Sequence, residues 1–320
     1  MLDLATCKKY FWSMAFIGVI YVCHSVMAMC KNDNWAPRAN LILDEVGRPR
    51  PCLLKLLAEF GIEHDGTLDD IVNKTQASWL RKPGQERWDL ASEKTAKLAQ
   101  NQGLFRACGC MDEVAPALMQ YDYAIVMGAL TARMRMRLAY AVELWKNGVR
   151  FKQLILLSGR RPRMPQLETE NMILGIGLVK NPLTKKPDWQ FSGPLPENEA
   201  DIMRVLFEQA DLPADFLANV QVVFVEAPMK LNADGQLVRP TTADTVDEWL
   251  QQHPVPGTCL LVTNNPYVGY QDSVARTLLP ASFKIEAVGQ IDTGDSNLAV
   301  HLDNLARWLH QERQRRSKAK

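Results

Sequence analysis

The stretch that decides the fold runs from residue 121 to residue 163, YDYAIVMGALTARMRMRLAYAVELWKNGVRFKQLILLSGRRPR. It opens with a short apolar run, Tyr123-Ala-Ile-Val-Met127, that stops at Gly128. A continuous apolar run of this length suits a strand covered on both faces. From Thr131 the apolar spacing becomes helical. Met134, Leu138, Ala141, Val142 and Trp145 share one stripe, and Gly148 is a natural stop. Gln153 to Leu157 is a second strand, closed by Ser158-Gly159.

The same alternation continues toward the C-terminus. Strands are expected at Val220–Val225, Thr258–Thr263 and Phe283–Val288. Helices are expected at Glu197–Ala210, Thr242–Gln251 and Ser273–Leu279, and a last helix sets Leu298, Leu302, Leu305 and Leu309 on one seam. Strands alternating with helices imply a parallel sheet with helices on both faces. The fold expected for residues 121–316 is therefore α/β, a three-layer Rossmann-like parallel sheet of about five strands. The Pro162–Pro196 connection is long for such a fold, and a helix of its own is expected around Glu170–Gly177.

Residues 29–120 read as an N-terminal helical extension packed on that core. Leu53, Leu54, Leu56, Leu57 and Phe60, then Leu68, Ile71 and Val72, follow amphipathic spacing. Pro83-Gly84 breaks the chain before a helical stretch from about Glu86 to Gln100, and Trp79 and Trp88 are expected to pack. Residues 1–28 stand apart: Lys8-Lys9, an uncharged apolar run from Tyr10 to Cys23, then Val26-Met27-Ala28. That is the layout of a signal peptide, and the apolar run is shorter than the ~20 residues that span a bilayer. An uncleaved anchor is the competing reading. The chain is accordingly expected to be exported, periplasmic or secreted, and attached to the inner membrane only if residues 1–28 remain.

Charge narrows the partners. Of 320 residues, 37 are Lys or Arg and 36 are Asp or Glu, a net charge of +1. This balance offers no bulk attraction to nucleic acid, and the 47% hydrophobic content excludes a disordered chain. Beyond residue 28 five cysteines remain: Cys30, Cys52, Cys108, Cys110 and Cys259. Cys108-Gly-Cys110 has no second pair or nearby histidine, so no metal site is expected and structural thiols, or one disulfide to Cys52, fit better.

In an open parallel sheet, ligands bind beyond the carboxyl ends of the strands, where the strand order reverses. The residues there are Gly128, Ala129, Arg133, Arg135 and Arg137 after the first strand and Ser158, Gly159, Arg160, Arg161 and Arg163 after the second. Glu226 follows the third, and Asn264, Asn265, Pro266 and Tyr267 the fourth. Three arginines in the first turns of a helix oppose its macrodipole, and none has a carboxylate three or four residues away on that helix. Two readings follow. The cluster holds a phosphate or carboxylate together with the backbone N–H groups at 128–131, or it pairs internally with Glu168, Glu170, Glu197, Glu199 or Asp201. Asp292-Thr293-Gly294 occurs once and before a helix, so it reads as a turn rather than half of a protease dyad.

The strand-end segments resemble the bacterial domain of unknown function typified by YdcF, SanA and ElyC, over about residues 121–290. The resemblance rests on Val126-Met-Gly128-Ala129, Leu157-Ser158-Gly159, Asn198-Glu199-Ala200-Asp201, Thr242-Ala-Asp244-Thr245 and Val262-Thr263-Asn264-Asn265-Pro266-Tyr267, in this order. It implies a Rossmann-like fold, association with the cell envelope and a nucleotide-like ligand such as S-adenosylmethionine. Val268 stands where the family has a histidine, and Ala129, Asp244 and Thr245 also depart from its pattern. Any catalysis would then rest on Glu199, Asp244 or Glu226 as acid or base, with the arginines stabilising charge. Gly128, Ala129, Arg133, Arg137, Ser158, Gly159, Arg160, Arg161, Asn198, Thr242, Asn264, Asn265 and Tyr267 form the expected ligand-binding set. The expected function is binding of a small anionic, phosphorylated or nucleotide-like ligand, with hydrolase or transferase activity; the alternative is a non-catalytic binding module.

Overall fold

The computed structural model describes residues 38–82, 95–178, 181–291 and 297–318, the side chains of 95–97 excepted. The expected signal segment, Pro83-Gly84, Trp88 and Asp292-Thr293-Gly294 lie outside them. Five strands make one sheet: β1 (Gln120–Met127), β2 (Arg150–Gly159), β3 (Gln221–Ala227), then, after the hairpin strands β4 (Lys230–Leu231) and β5 (Leu237–Val238), β6 (Thr258–Asn264) and β7 (Lys284–Gln290). The sheet order is β3-β2-β1-β6-β7 and every neighbour pair is parallel. The chain first builds outward from β1 through β2 to β3, then returns to the other side of β1 with β6. The order therefore reverses between β1 and β6, and their carboxyl ends diverge there.

Alternation along β1 supplies both faces of the sheet. Ala124 and Val126 point to a core with Met134, Leu138 and Ala141 of α4 (Thr131–Lys146) and Ile202, Met203 and Leu206 of α6 (Glu199–Gln209). Phe216 of α7 (Ala214–Asn219) closes that layer. Tyr123, Ile125 and Met127 point the other way, to Val246 and Trp249 of α8 (Thr242–Leu250) and Val268 and Ala275 of α9 (Val268–Leu278). Both faces of the sheet are covered by buried apolar side chains, which is why the strands read as nearly continuous apolar sequence. The fold is thus the expected three-layer α/β sandwich.

Outside it lies a further helical layer. The helices α1 (Pro51–Glu59), α2 (Leu68–Trp79) and α3 (Thr95–Ala107) share a core with the last helix, α10 (Leu298–Lys318). Leu53, Leu56, Leu57, Ile71, Val72 and Phe105 meet Leu298, Leu302, Leu305 and Leu309, all nearly or fully buried. The leucine seam of α10 therefore faces the extension. Its other side lies on α9, where Trp308 fills the space a side chain at Gly269 would need: a Cβ there would come within 2.3 Å of the ring. Trp79 packs edge-on against Phe60, as a docking residue should.

The insertion between β2 and α6 carries α5 (Glu170–Leu174), which Gly175 ends in the left-handed conformation at φ 65°. Some boundaries differ from expectation, and the helix expected over Glu86–Gln100 continues to Ala107. The helix expected from Ser273 begins at Val268, because Gly269, Gln271 and Asp272 interrupt the apolar pattern while the backbone still closes, Gln271 N–H donating to Tyr267 O at 2.9 Å. The β4–β5 hairpin and α7 carry too few residues to show a periodicity and were not expected.

Candidate functional site

A cavity of about 490 Å³ opens where the sheet order reverses. Its floor is Gly128, Ala129 and Leu130 after β1, and Leu157 and Gly159 of β2. Thr241, Thr242 and Thr245 come from the start of α8, Tyr267 from the loop after β6, and Tyr270 and Gln271 from α9. Six arginines line it: Arg81, Arg133, Arg137, Arg161, Arg239 and Arg307. Among the described residues the lining holds one carboxylate, Glu199.

Glu199 is the first residue of α6 and lies under Gly128. A Cβ on Gly128 would sit 2.2 Å from Glu199 Oε1 and 2.9 Å from Leu157 O, so only glycine lets the strand end and the carboxylate approach so closely. Gly159 N–H donates to Glu199 Oε1 at 3.2 Å and Arg161 Nε to Oε2 at 2.8 Å. Burial pushes the Glu199 carboxyl above the usual glutamate range, and Arg161 and the Gly159 N–H oppose this without cancelling it.

Arg161 is bound twice over. Its Nη1 and Nη2 also donate to Glu168 Oε2 and Oε1 at 2.8 and 2.9 Å, a two-pronged pair out of solvent. Burial opposes its charge, yet the two glutamates hold it firmly protonated. Glu168 in turn accepts from Thr131 N–H at 3.1 Å and Thr131 Oγ1 at 3.2 Å. Helix α4 has no side-chain cap of its own at Leu130; Glu168, brought from the insertion, supplies both the cap and the negative charge that α4 lacks. Burial disfavours the charge on Glu168 too, but Arg161 and the backbone donors keep its carboxyl below the ordinary range.

The remaining strand-end arginines separate. Arg137 is buried and ties the diverging strands together, with Nε donating to Asn264 Oδ1 at 2.9 Å and Nη1 to Met127 O and Gly128 O at 2.8 and 2.9 Å. Arg133 lies over the Tyr267 ring, 5.1 Å from its centre. Arg135 turns away and binds Met172 O, Ile173 O and Gln209 Oε1, and burial lowers its pKa to about 10. Arg163 Nη1 donates to Glu168 O at 3.2 Å. Arg160 pairs with Glu226 at 2.9 Å on a largely exposed edge, where Arg204 also meets Glu226.

The expected site residues divide in the same way. Gly128, Ala129, Arg133, Arg137, Gly159, Arg161, Glu199, Thr242 and Tyr267 meet at the cavity. Ser158 is buried beneath it in the sheet, its hydroxyl 3.5 Å from Val225 O. Asn264 and Asn265 are buried behind the lining, Asn265 donating to Asp112 O and joined to Pro266 by a cis peptide. Asn198 caps α6 by accepting from Asp201 N–H at 3.0 Å. Asp244 closes a capping box with Thr241 on α8 and pairs with Lys230. Glu226 serves Arg160 and Arg204. None of Asn198, Asp244 and Glu226 is in the lining.

Arg81, Arg239 and Arg307 escaped a reading confined to strand ends. Arg239 stands three residues before Thr242, so widening that window would have included it. Arg81 follows α2, and Arg307, four residues after Asp303, has the spacing of an ordinary helix ion pair; it does pair with Asp303, whose carboxylate is buried. Among the described residues, no group of three His, Cys, Asp or Glu side chains could hold a metal ion, and no helix is long and apolar enough to cross a membrane. No protein-family model, curated protein or solved structure matches the chain.

Proposed function

We propose that the chain binds a small phosphorylated or nucleotide-like anion in the cavity between the ends of β1 and β6. The observation that carries this reading is the lining itself: among the described residues it holds six guanidinium groups and one carboxylate, Glu199, with Glu168 and Glu199 offsetting Arg161 and Asp303 offsetting Arg307. Guanidinium forks are donors that phosphate oxygens accept well, whereas the Gly128 and Thr131 N–H groups are taken by Leu157 O and Glu168. Tyr270 adds an aromatic ring to the lining, and Arg133 already covers the Tyr267 ring. The same electrostatics separate two candidate ligand classes. S-adenosylmethionine brings a sulfonium and an ammonium to a cationic wall, whereas a phosphate ester brings the complementary charge.

In the catalytic form of this reading, Glu199 is the proton-transfer group. Its raised carboxyl lies at the cavity floor, and the guanidinium groups offset charge that builds on a transferring phosphoryl or acyl group. A second reading, a binding module without turnover, draws on a specific observation: Asp244 and Glu226, the other acid/base candidates, are committed to capping and ion pairs outside the lining. The resemblance to envelope proteins and the signal-like first 28 residues favour an exported protein, and mass measurement of the mature N-terminus tests that.

Titration calorimetry with ATP, inorganic phosphate and S-adenosylmethionine tests the binding claim. A phosphate-bearing compound should bind, and Arg133→Gln and Arg239→Gln should each weaken it by roughly tenfold or more. Absence of binding by every phosphate compound at millimolar concentration overturns it. Release of phosphate that Glu199→Gln slows by roughly 10²-fold or more, with affinity kept, would select the enzyme; binding without turnover would select the module.

A further inference from the structure

We propose that a phosphate-class anion entering the cavity brings a proton with it from solvent, and that Glu199 is the group that receives the proton. This coupling rests on the anion-binding reading above. Three side chains make the device. Arg161 stands between two carboxylates, with Nε on Glu199 Oε2 at 2.8 Å and Nη1 and Nη2 on Glu168 Oε2 and Oε1 at 2.8 and 2.9 Å. All three residues are buried. One cation shared by two anions leaves a negative charge uncompensated, and burial disfavours it.

The donors decide which carboxylate gives way. Besides the two Arg161 prongs, Glu168 accepts from Thr131 N–H at 3.1 Å, Thr131 Oγ1 at 3.2 Å and Met164 N–H at 2.9 Å. Among the described residues, Glu199 accepts from Arg161 Nε and from Gly159 N–H at 3.2 Å. The carboxylate with more donors stays charged, so Glu199 takes the proton. Position points the same way. Glu168 is fully buried and outside the cavity lining, whereas Glu199 belongs to it. The Glu199 N–H also donates to Arg161 O at 3.0 Å, which holds the start of α6 against the exit of β2.

The neighbouring acids are engaged elsewhere. Asp201, on the same helix, accepts from Asn198 Nδ2 at 2.6 Å, and Glu226 at the end of β3 pairs with Arg160 and Arg204. The other titratable groups in the lining are the arginines that α4, the exit of β5, α2 and α10 supply, with Tyr267 and Tyr270. Those side-chain classes change charge only in alkaline solution. An anion at the cavity floor places a like charge beside Glu199 and favours its protonated form. The buffer gives up the proton and is left as its conjugate base. Glu199 becomes an uncharged carboxylic acid, Arg161 stays paired with Glu168, and the lining loses its carboxylate charge. Linkage then fixes the sign. Binding tightens as pH falls between the bound-state and free-state values of Glu199, roughly tenfold for each unit that separates them.

Calorimetry with ATP and with inorganic phosphate, in paired buffers of unlike ionisation heat, counts the protons taken up per anion bound. Both compounds exchange protons themselves, so the measured quantity is the count for the unmutated protein minus that for Glu199→Gln. The expected difference is roughly half a proton or more at its maximum, between about pH 5 and 9. Glu199→Gln should bind with the affinity that the unmutated protein reaches at low pH. Infrared difference spectra of the unmutated protein provide a measurement that needs no variant. The C=O band of a protonated carboxyl should grow as the anion binds, and should shift when glutamate is labelled with carbon-13. Binding with equal proton counts in the two proteins, or without growth of that band, overturns the coupling and leaves anion binding intact. Failure of both compounds to bind overturns the anion-binding reading itself, and the coupling falls with it.

Discussion

Glu168 shows how one side chain can serve two elements. It is fully buried, yet it binds both prongs of Arg161, caps α4 through Thr131 and accepts from Met164 N–H at 2.9 Å. Removing one partner of a buried, hydrogen-bonded ion pair leaves the other charge without compensation, which costs about 3–5 kcal/mol. Glu168→Gln should therefore destabilise the fold by roughly that amount in urea unfolding. The pH dependence follows from the direction of the shift. Because the folded state holds this carboxyl below its ordinary value, the unfolded chain takes up the proton first as pH falls. The stability it contributes is intact above about pH 4.3 and is lost as pH drops through that value toward the folded one. The variant should show a flatter profile there. Glu199 acts in the opposite sense, since its raised carboxyl makes stability decline as pH rises above the ordinary glutamate range.

At the scale of elements, the decisive contact is α9 against α10. Gly269 in the first turn of α9 lies under the Trp308 ring. Gly269→Ala adds a helix-favouring residue, worth up to about 1 kcal/mol in isolation. Here it meets an aromatic ring at 2.3 Å, closer than real contacts allow. The helices must separate, so overpacking should win and the variant should lose about 1–3 kcal/mol by chemical denaturation. A gain in stability would show that the helix pair yields at no cost. Because Tyr267, Tyr270 and Gln271 reach the cavity from this same segment, the affinity for a phosphate ligand should fall as well.

At the scale of the molecule, the described residues from 38 to 318 form one compact unit in which the extension and the sheet share α10 and α9. Leu305 is fully buried where α10 meets the extension. Leu305→Ala should cost about 2–5 kcal/mol. Far-ultraviolet circular dichroism and tryptophan fluorescence should still report one coincident transition, because Trp308 and Trp79 on one side and Trp145 and Trp249 on the other belong to that unit. Two separate transitions would mean that the extension folds independently. The unit also explains why charge looked uninformative in sum. The net +1 of the chain averages over a cavity wall that gathers six arginines, two of them paired with carboxylates, and binding of a phosphate ligand should weaken as salt screens that wall.

The amino-acid sequence by itself determined the strands, most of the helices and the parallel class of the sheet. Those properties depend on neighbours two to four residues apart, and an apolar run such as Tyr123–Met127 carries them whatever lies elsewhere. It also placed Gly128, Arg133, Arg137, Gly159, Arg161, Glu199, Thr242 and Tyr267 near one another, because in a parallel sheet all strand ends of one sense share one edge. Only the tertiary structure decided which charges neutralise which. Nothing local tells that Arg161 is claimed by Glu168 and Glu199, or that Asp244 serves Thr241 and Lys230. Nor does it tell that Arg81, Arg239 and Arg307 arrive from α2, the hairpin exit and α10 to complete the wall. Electrostatic interactions act through space and depend on burial, so their outcome is set by the packing of segments far apart in the chain.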